Sequence, residues 1–115
     1  MENLVEIFEY NGPDYDRTMK FGTWCVAYLN YSEGHKEGNI KFLERHNETD
    51  EVFVLLTGTA TLLIDADAKR LDMEPFKIYN VKKSVWHNII LSEDAKILIV
   101  ENNDTGKANS DYMDI

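Results

Sequence analysis

Between residues 40 and 101 the chain is a run of short β-patterned segments, each bounded by turn-forming residues. Segments of this kind, recurring about every ten residues, can bury their apolar side chains only as antiparallel sheets that pack face to face or close into a barrel. Ile40–His46 alternates, with Ile40, Phe42, Glu44 and His46 on one face and Lys41, Leu43 and Arg45 on the other. The two cations predict that the second face meets water, so the first points inward and takes two ionisable groups with it. Asn47–Asp50 reads as a turn and Glu51–Leu56 as a nearly continuous apolar strand. Gly58 then sits in the hairpin turn to Ala60–Asp65. Asp65–Lys69 is a second tight turn; Phe76–Val81, Val85–Leu91 and Lys96–Glu101 complete this strand set.

The flanks are read by the same rules. Leu4–Phe8 is a candidate opening strand, Asn11-Gly-Pro-Asp14 a turn, and Phe21–Tyr31 one long aromatic and β-branched strand. Ser32–Asn39 is a polar loop with two glycines, and the polar tail from Asn102 leads to Tyr112–Ile115, which docks at the end. Asp65–Met73 has apolar spacing too poor for a helix, and no other segment predicts one.

With 115 residues the chain suits one domain spanning residues 1–115. A net charge of −9 argues against nucleic acid or an anionic membrane as partner, since both require basic surface. No apolar run is long enough to span a bilayer, and the acidic start lacks the pattern of a signal peptide. The expected location is therefore cytoplasmic. A lone cysteine, Cys25, allows no intrachain disulfide, and its apolar surroundings predict a buried small hydrophobe.

The chemistry-bearing residues are Glu44, His46 and Glu51 in the first β pattern and His87 in the later Val85-Trp-His-Asn-Ile-Ile-Leu91. Each has an ordinary reading. A single histidine on an apolar strand is usually a hydrogen-bonded core residue, Glu44 fits an exposed face, and Glu51 fits a turn cap. Brought together, they form a polar site inside an apolar shell. Charged groups there are costly unless they pair or coordinate. Two neighbouring carboxylates repel and raise one pKa, and a cation between them relieves this.

In this pattern the chain resembles the cupins, whose first motif runs Gly, five residues, His-x-His, three or four residues, Glu, six residues, Gly. Glu44-x-His46, four residues, Glu51, six residues, Gly58 matches its second half. Of the second motif, Pro-x-Gly, two residues, His, three residues, Asn, the chain keeps His87; Lys82, Ser84 and Leu91 hold the other places. The similarity covers about residues 38–101 and implies an all-β, cupin-type jelly roll. It further implies a divalent metal (Mn, Fe, Zn or Ni) on His46, Glu51 and His87, with Glu44 where the family has a second histidine.

An added carboxylate favours harder ions such as Mn²⁺ or Fe²⁺. Glu44 is then a fourth ligand or the general base, with His87 its catalytic companion. The expected function is small-molecule binding, with isomerase, lyase or oxygenase chemistry open. The alternatives are a non-catalytic sugar or metabolite binder and a metal-free acid–base enzyme. Small cupins commonly pair through sheet edges, so a homodimer is expected, with Leu4–Phe8 as a contributor. His35 reads as a solvated loop residue or part of a lid. Trp24, Tyr28, Tyr79 and Trp86 read as core or rim packing, with at least one lining the cavity mouth. Glu101 reads as an edge charge.

Overall fold

Ten strands form two five-stranded antiparallel sheets in the computed structural model, which describes residues 3–115. In chain order they are β1 (Tyr15–Phe21), β2 (Trp24–Asn30), β3 (Phe42–His46), β4 (Glu51–Thr57), β5 (Ala60–Ile64), β6 (Lys69–Asp72), β7 (Tyr79–Val81), β8 (His87–Leu91), β9 (Lys96–Asn102) and β10 (Ser110–Asp114). One sheet has the order β1-β2-β9-β4-β7 and the other β10-β3-β8-β5-β6. Sequential neighbours β3 and β4 lie in different sheets, and so do β8 and β9. The chain therefore crosses between layers and ties them around one core. The expected all-β antiparallel architecture is what forms.

Period-two alternation builds that core. Cys25, Ala27 and Leu29 of β2, Phe53 and Leu55 of β4, Leu62 of β5, Ile89 and Leu91 of β8, and Ile97 and Ile99 of β9 are all buried. Three of these inward rows end in an ionisable residue. Glu51 opens β4, His87 opens β8 and Glu101 comes near the end of β9, and all three are buried. Because β4 and β9 are antiparallel, with Val52 opposite Val100, Glu51 and Glu101 fall at the same end of the sheet. Alternation thus makes a sandwich that is apolar through most of its length and polar at one end.

Several expectations are corrected. Leu4–Phe8 takes part in no strand, and Leu4, Val5, Ile7 and Phe8 are exposed. Phe21–Tyr31 is not one strand. Gly22, at φ 55°, turns the chain between β1 and β2, with Phe21 opposite Trp24. β1 escapes sequence reading because Asp16, Arg17 and Lys20 break its apolar pattern, as suits an edge strand. Of Phe76–Val81 only Tyr79–Val81 is strand. Phe76 stands at φ 66° in the preceding loop, and both it and Ile78 are about three-quarters exposed. Leu43, expected to face water, is fully buried, and Arg45 beside it lies 4.4 Å over the Trp86 ring. The outer face of β3 is therefore covered at Leu43. The C-terminal segment does dock, as strand β10 on β3. Cys25 is buried as expected.

The turn glycine between β4 and β5 shows how tightly the layers meet. Gly58 has φ 72°, and a Cβ there would come within 2.7 Å of the backbone N and Cα of Ala95. Gly58→Ala combines left-handed strain with a clash against immobile atoms. It is expected to lower stability by about 2 kcal/mol, read as a fall in urea midpoint at unchanged m-value.

Candidate functional site

The four residues singled out by the sequence converge. Glu44 and His46 lie two apart on β3, and Glu44 is the register partner of His87 on β8. Glu51 reaches them from the opposite sheet. Its Oε1 is 3.1 Å from Nε2 of His46 and 3.1 Å from Nε2 of His87. Glu44 Oε1 stands further off, 3.8 Å from His46 Nε2 and 4.0 Å from His87 Nε2. The imidazoles meet edge to face with centroids 5.2 Å apart, and Phe53 packs against His87.

The outward nitrogens fix the rings. His87 Nδ1 lies 3.0 Å from the Val85 carbonyl, which can only accept, so Nδ1 carries the proton. In a neutral ring Nε2 would then be a bare lone pair facing a carboxylate. The 3.1 Å contact to Glu51 therefore calls for a second proton on His87 or a cation between the two groups. His46 Nδ1 is 2.8 Å from Ser110 Oγ, so β10 orients the second ring.

The electrostatics follow. Burial alone would raise the Glu51 pKa, but hydrogen bonds from His46 and His87 outweigh it and hold the carboxyl well below its ordinary value. Burial opposes protonation of both histidines, yet the Glu51 contacts prevail and raise them. Glu44 is raised by burial despite its two imidazole neighbours.

Glu101, read from the sequence as an edge charge, belongs to this cluster. It is buried, and burial together with the Glu51 charge pushes its pKa up to about 8. The Tyr15 hydroxyl donates to its Oε1, and Arg17 Nη2 lies 3.9 Å from the same oxygen. Arg17 also donates to the Tyr15 hydroxyl at 3.1 Å, to the Asn103 carbonyl at 2.5 Å and to the Thr105 carbonyl. Strict alternation from Ile97 and Ile99 carries Glu101 inward, and that parity was its sequence signal. Tyr15 and Arg17 had none, because their strand was not recognisable.

These groups line a cavity of about 540 Å³, a size suited to a small-molecule ligand. His35 borders it rather than standing in solvent, its Nδ1 2.9 Å from the Ile89 carbonyl. None of Trp24, Tyr28, Tyr79 and Trp86 lines it. The aromatic lining is Tyr15, Phe42, Phe53 and Tyr112. Trp86 and Tyr28 instead lie under cations, Arg45 and Lys96.

The donor set fits a divalent cation. His46, Glu51 and Glu101 offer ligand atoms within 4.8 Å of one another, and so do Glu44, His46 and His87. Two imidazole nitrogens plus carboxylate oxygens suit Mn, Fe, Zn or Ni.

No family model matches the sequence, and no curated protein matches it. Solved structures do match. Streptomyces Pac13, described as a nucleoside dehydratase, superposes with a TM-score of 0.68 at 7% identity, over 94% of this chain and 86% of that one. A variant of it solved with uridine has the same TM-score and identity and is covered over 85% of its length. A cupin-2 domain protein from Shewanella frigidimarina gives 0.63 at 18% identity, covering 82% of this chain and 85% of that one. An RmlC-like cupin with a double-stranded β-helix fold from Methanocaldococcus jannaschii gives 0.65 at 12%, covering 86% and 91%. The chain thus has the cupin fold. Among the described residues no helix is long and apolar enough to cross a membrane.

Proposed function

We propose that the protein binds a small molecule in this cavity beside one divalent cation held by His46, His87 and Glu51, and that Glu44 moves a proton to or from that molecule. The observation that carries the reading is the position of one Glu51 oxygen, 3.1 Å from two Nε2 atoms. The His87 Nδ1–H is already committed to a carbonyl, so a cation at that point satisfies all three groups at once. A bound cation would supply Lewis-acid polarisation of ligand oxygens. The chain's own residues do the rest. Val85 and Ser110 hold the rings in position, Phe53 and Ile89 form an apolar wall that excludes water, and Glu44 offers a half-exposed carboxylate to a ligand hydroxyl. Its raised pKa brings it nearer the range in which a carboxyl both takes and returns a proton.

The expected result is near-stoichiometric divalent metal in protein purified without chelator, and its loss in His46→Ala and His87→Ala. Elemental analysis decides. Native stoichiometry in both variants would overturn the ligand assignment.

A second reading is favoured by the same contacts. Without a cation, Glu51 between two raised histidines is an imidazolium–carboxylate arrangement able to do acid–base work, and Pac13 makes a dehydration a sensible first reaction to assay. Activity that survives chelation would select it.

We also propose a homodimer. Leu4 is 81% and Ile7 92% exposed on an unpaired segment, an apolar stretch that a second copy would cover. Sedimentation should give twice the chain mass, and Ile7→Asp should shift it toward monomer.

A further inference from the structure

The cavity leaves one of its carboxyl groups without a partner. Asp14, Glu44, Glu51 and Glu101 line it, against a single Lys or Arg among the described residues, Arg17. Arg17 is engaged within the protein, by the Asn103 and Thr105 carbonyls, by the Tyr15 hydroxyl and by Glu101. Both nitrogens of His46 and of His87 have partners as well, Ser110 and Glu51 for one, Val85 and Glu51 for the other. The cationic donors that would greet an anion are thus already occupied, while the Thr105 hydroxyl, buried without a partner, offers only a neutral donor.

Glu44 is the opposite case. Its side chain is 30% exposed, it faces the cavity, and it makes no hydrogen bond to any described residue. It is an acceptor without a donor. A ligand completes it by bringing a hydroxyl, whereas a carboxylate or phosphate would bring a like charge directly against it. The net charge of −9 adds the same sign at longer range.

The geometry points to a cavity that selects uncharged, hydroxyl-bearing small molecules over their carboxylate or phosphate counterparts, with Glu44 as the specificity-determining residue that accepts a ligand hydroxyl. This rests on the small-molecule reading of the cavity and not on its metal.

The test is a nuclear magnetic resonance titration of the protein as purified with two matched pairs, lactamide against lactate and uridine against uridine 5′-monophosphate. The amide signals of Glu44, His46 and Asn88 are followed. The neutral member of each pair should bind about tenfold more tightly. In Glu44→Gln, which keeps shape and hydrogen bonding, that ratio should fall toward one, chiefly because the anion gains affinity. A merely structural role for Glu44 would weaken both members alike. Equal or tighter binding of either anion, an unchanged ratio in Glu44→Gln, or no response to any of the four probes would each overturn the proposal. Elemental analysis of the same sample keeps the two readings apart. Metal-free protein with the neutral preference loses only the metal reading, and metal-loaded protein that prefers anions loses only the selectivity.

Discussion

Glu51→Ala is expected to abolish divalent-metal retention and to lower stability by about 3 kcal/mol. The carboxylate is buried and is the shared partner of two buried imidazoles. Removing one member of a buried ionic set leaves the others without compensation, at roughly 3–5 kcal/mol. The lower end applies because each histidine can shed its extra proton. Glu51→Gln separates charge from space. Its amide oxygen can still accept from one imidazole and its NH₂ can donate to the other once that ring is neutral. It should therefore recover most of the stability while remaining unable to hold metal. Chemical denaturation with and without chelator, beside elemental analysis, checks both halves. Native metal content in Glu51→Gln would show that His46, His87 and Glu44 suffice, and would move the centre of the site from β4 to β3 and β8.

How much of this was legible follows from the period-two pattern. Where a strand is buried on one face and lies inside a sheet, alternation fixes which side chains point inward. That placed Glu44 with His46, and it placed Glu51 and His87 in the interior rows of β4 and β8. The same rule applied to β9 reaches Glu101, although an acid at a strand end looks like an edge group. Edge strands are where the rule fails. β1 faces another strand on one side only and carries Asp16, Arg17 and Lys20, so its pattern is that of a loop. Tyr15 and Arg17 carry no sequence signal for that reason, and neither does the polar wall that they form around Glu101. The opposite error fell on Leu4–Phe8, whose apolar character suggested a strand but which has no sheet neighbour to pair with. Leu43 failed for a third reason. Its flanking cations imply solvent, yet the residue is fully buried and Arg45 lies over the Trp86 ring, a contact set by tertiary structure alone.

Chelated protein should be most stable near pH 5 and should lose stability steadily toward pH 8, with added divalent metal suppressing the alkaline loss. His46 and His87 have raised folded-state pKa values, so their stabilisation is complete below the unfolded value near 6.5 and is lost as pH rises through the folded values. Glu51 is depressed, so its stabilisation is present above an unfolded value near 4.5 and is lost as pH falls through the folded value. Glu101, pushed up to about 8, and Glu44, raised by burial, are acids raised in the fold. The unfolded chain ionises first, and stability falls as pH rises above about 4.5 until the folded groups ionise too. Four groups therefore pull stability down on the alkaline side and one pulls it down on the acid side, which leaves a maximum between 4.5 and 6.5. A cation reverses the alkaline limb, because it binds deprotonated imidazole and carboxylate and so favours the fold more strongly as protons leave. Glu101→Gln isolates the largest contributor. Its amide can still accept from Tyr15, and with no charge to bury it should gain about 2 kcal/mol over the parent at pH 8 and little at pH 5. Thermal unfolding across pH 4–9, with chelator and with Mn²⁺, measures every term. A chelated protein whose stability rises from pH 5 to 8 would mean that the imidazoles are neutral in the fold.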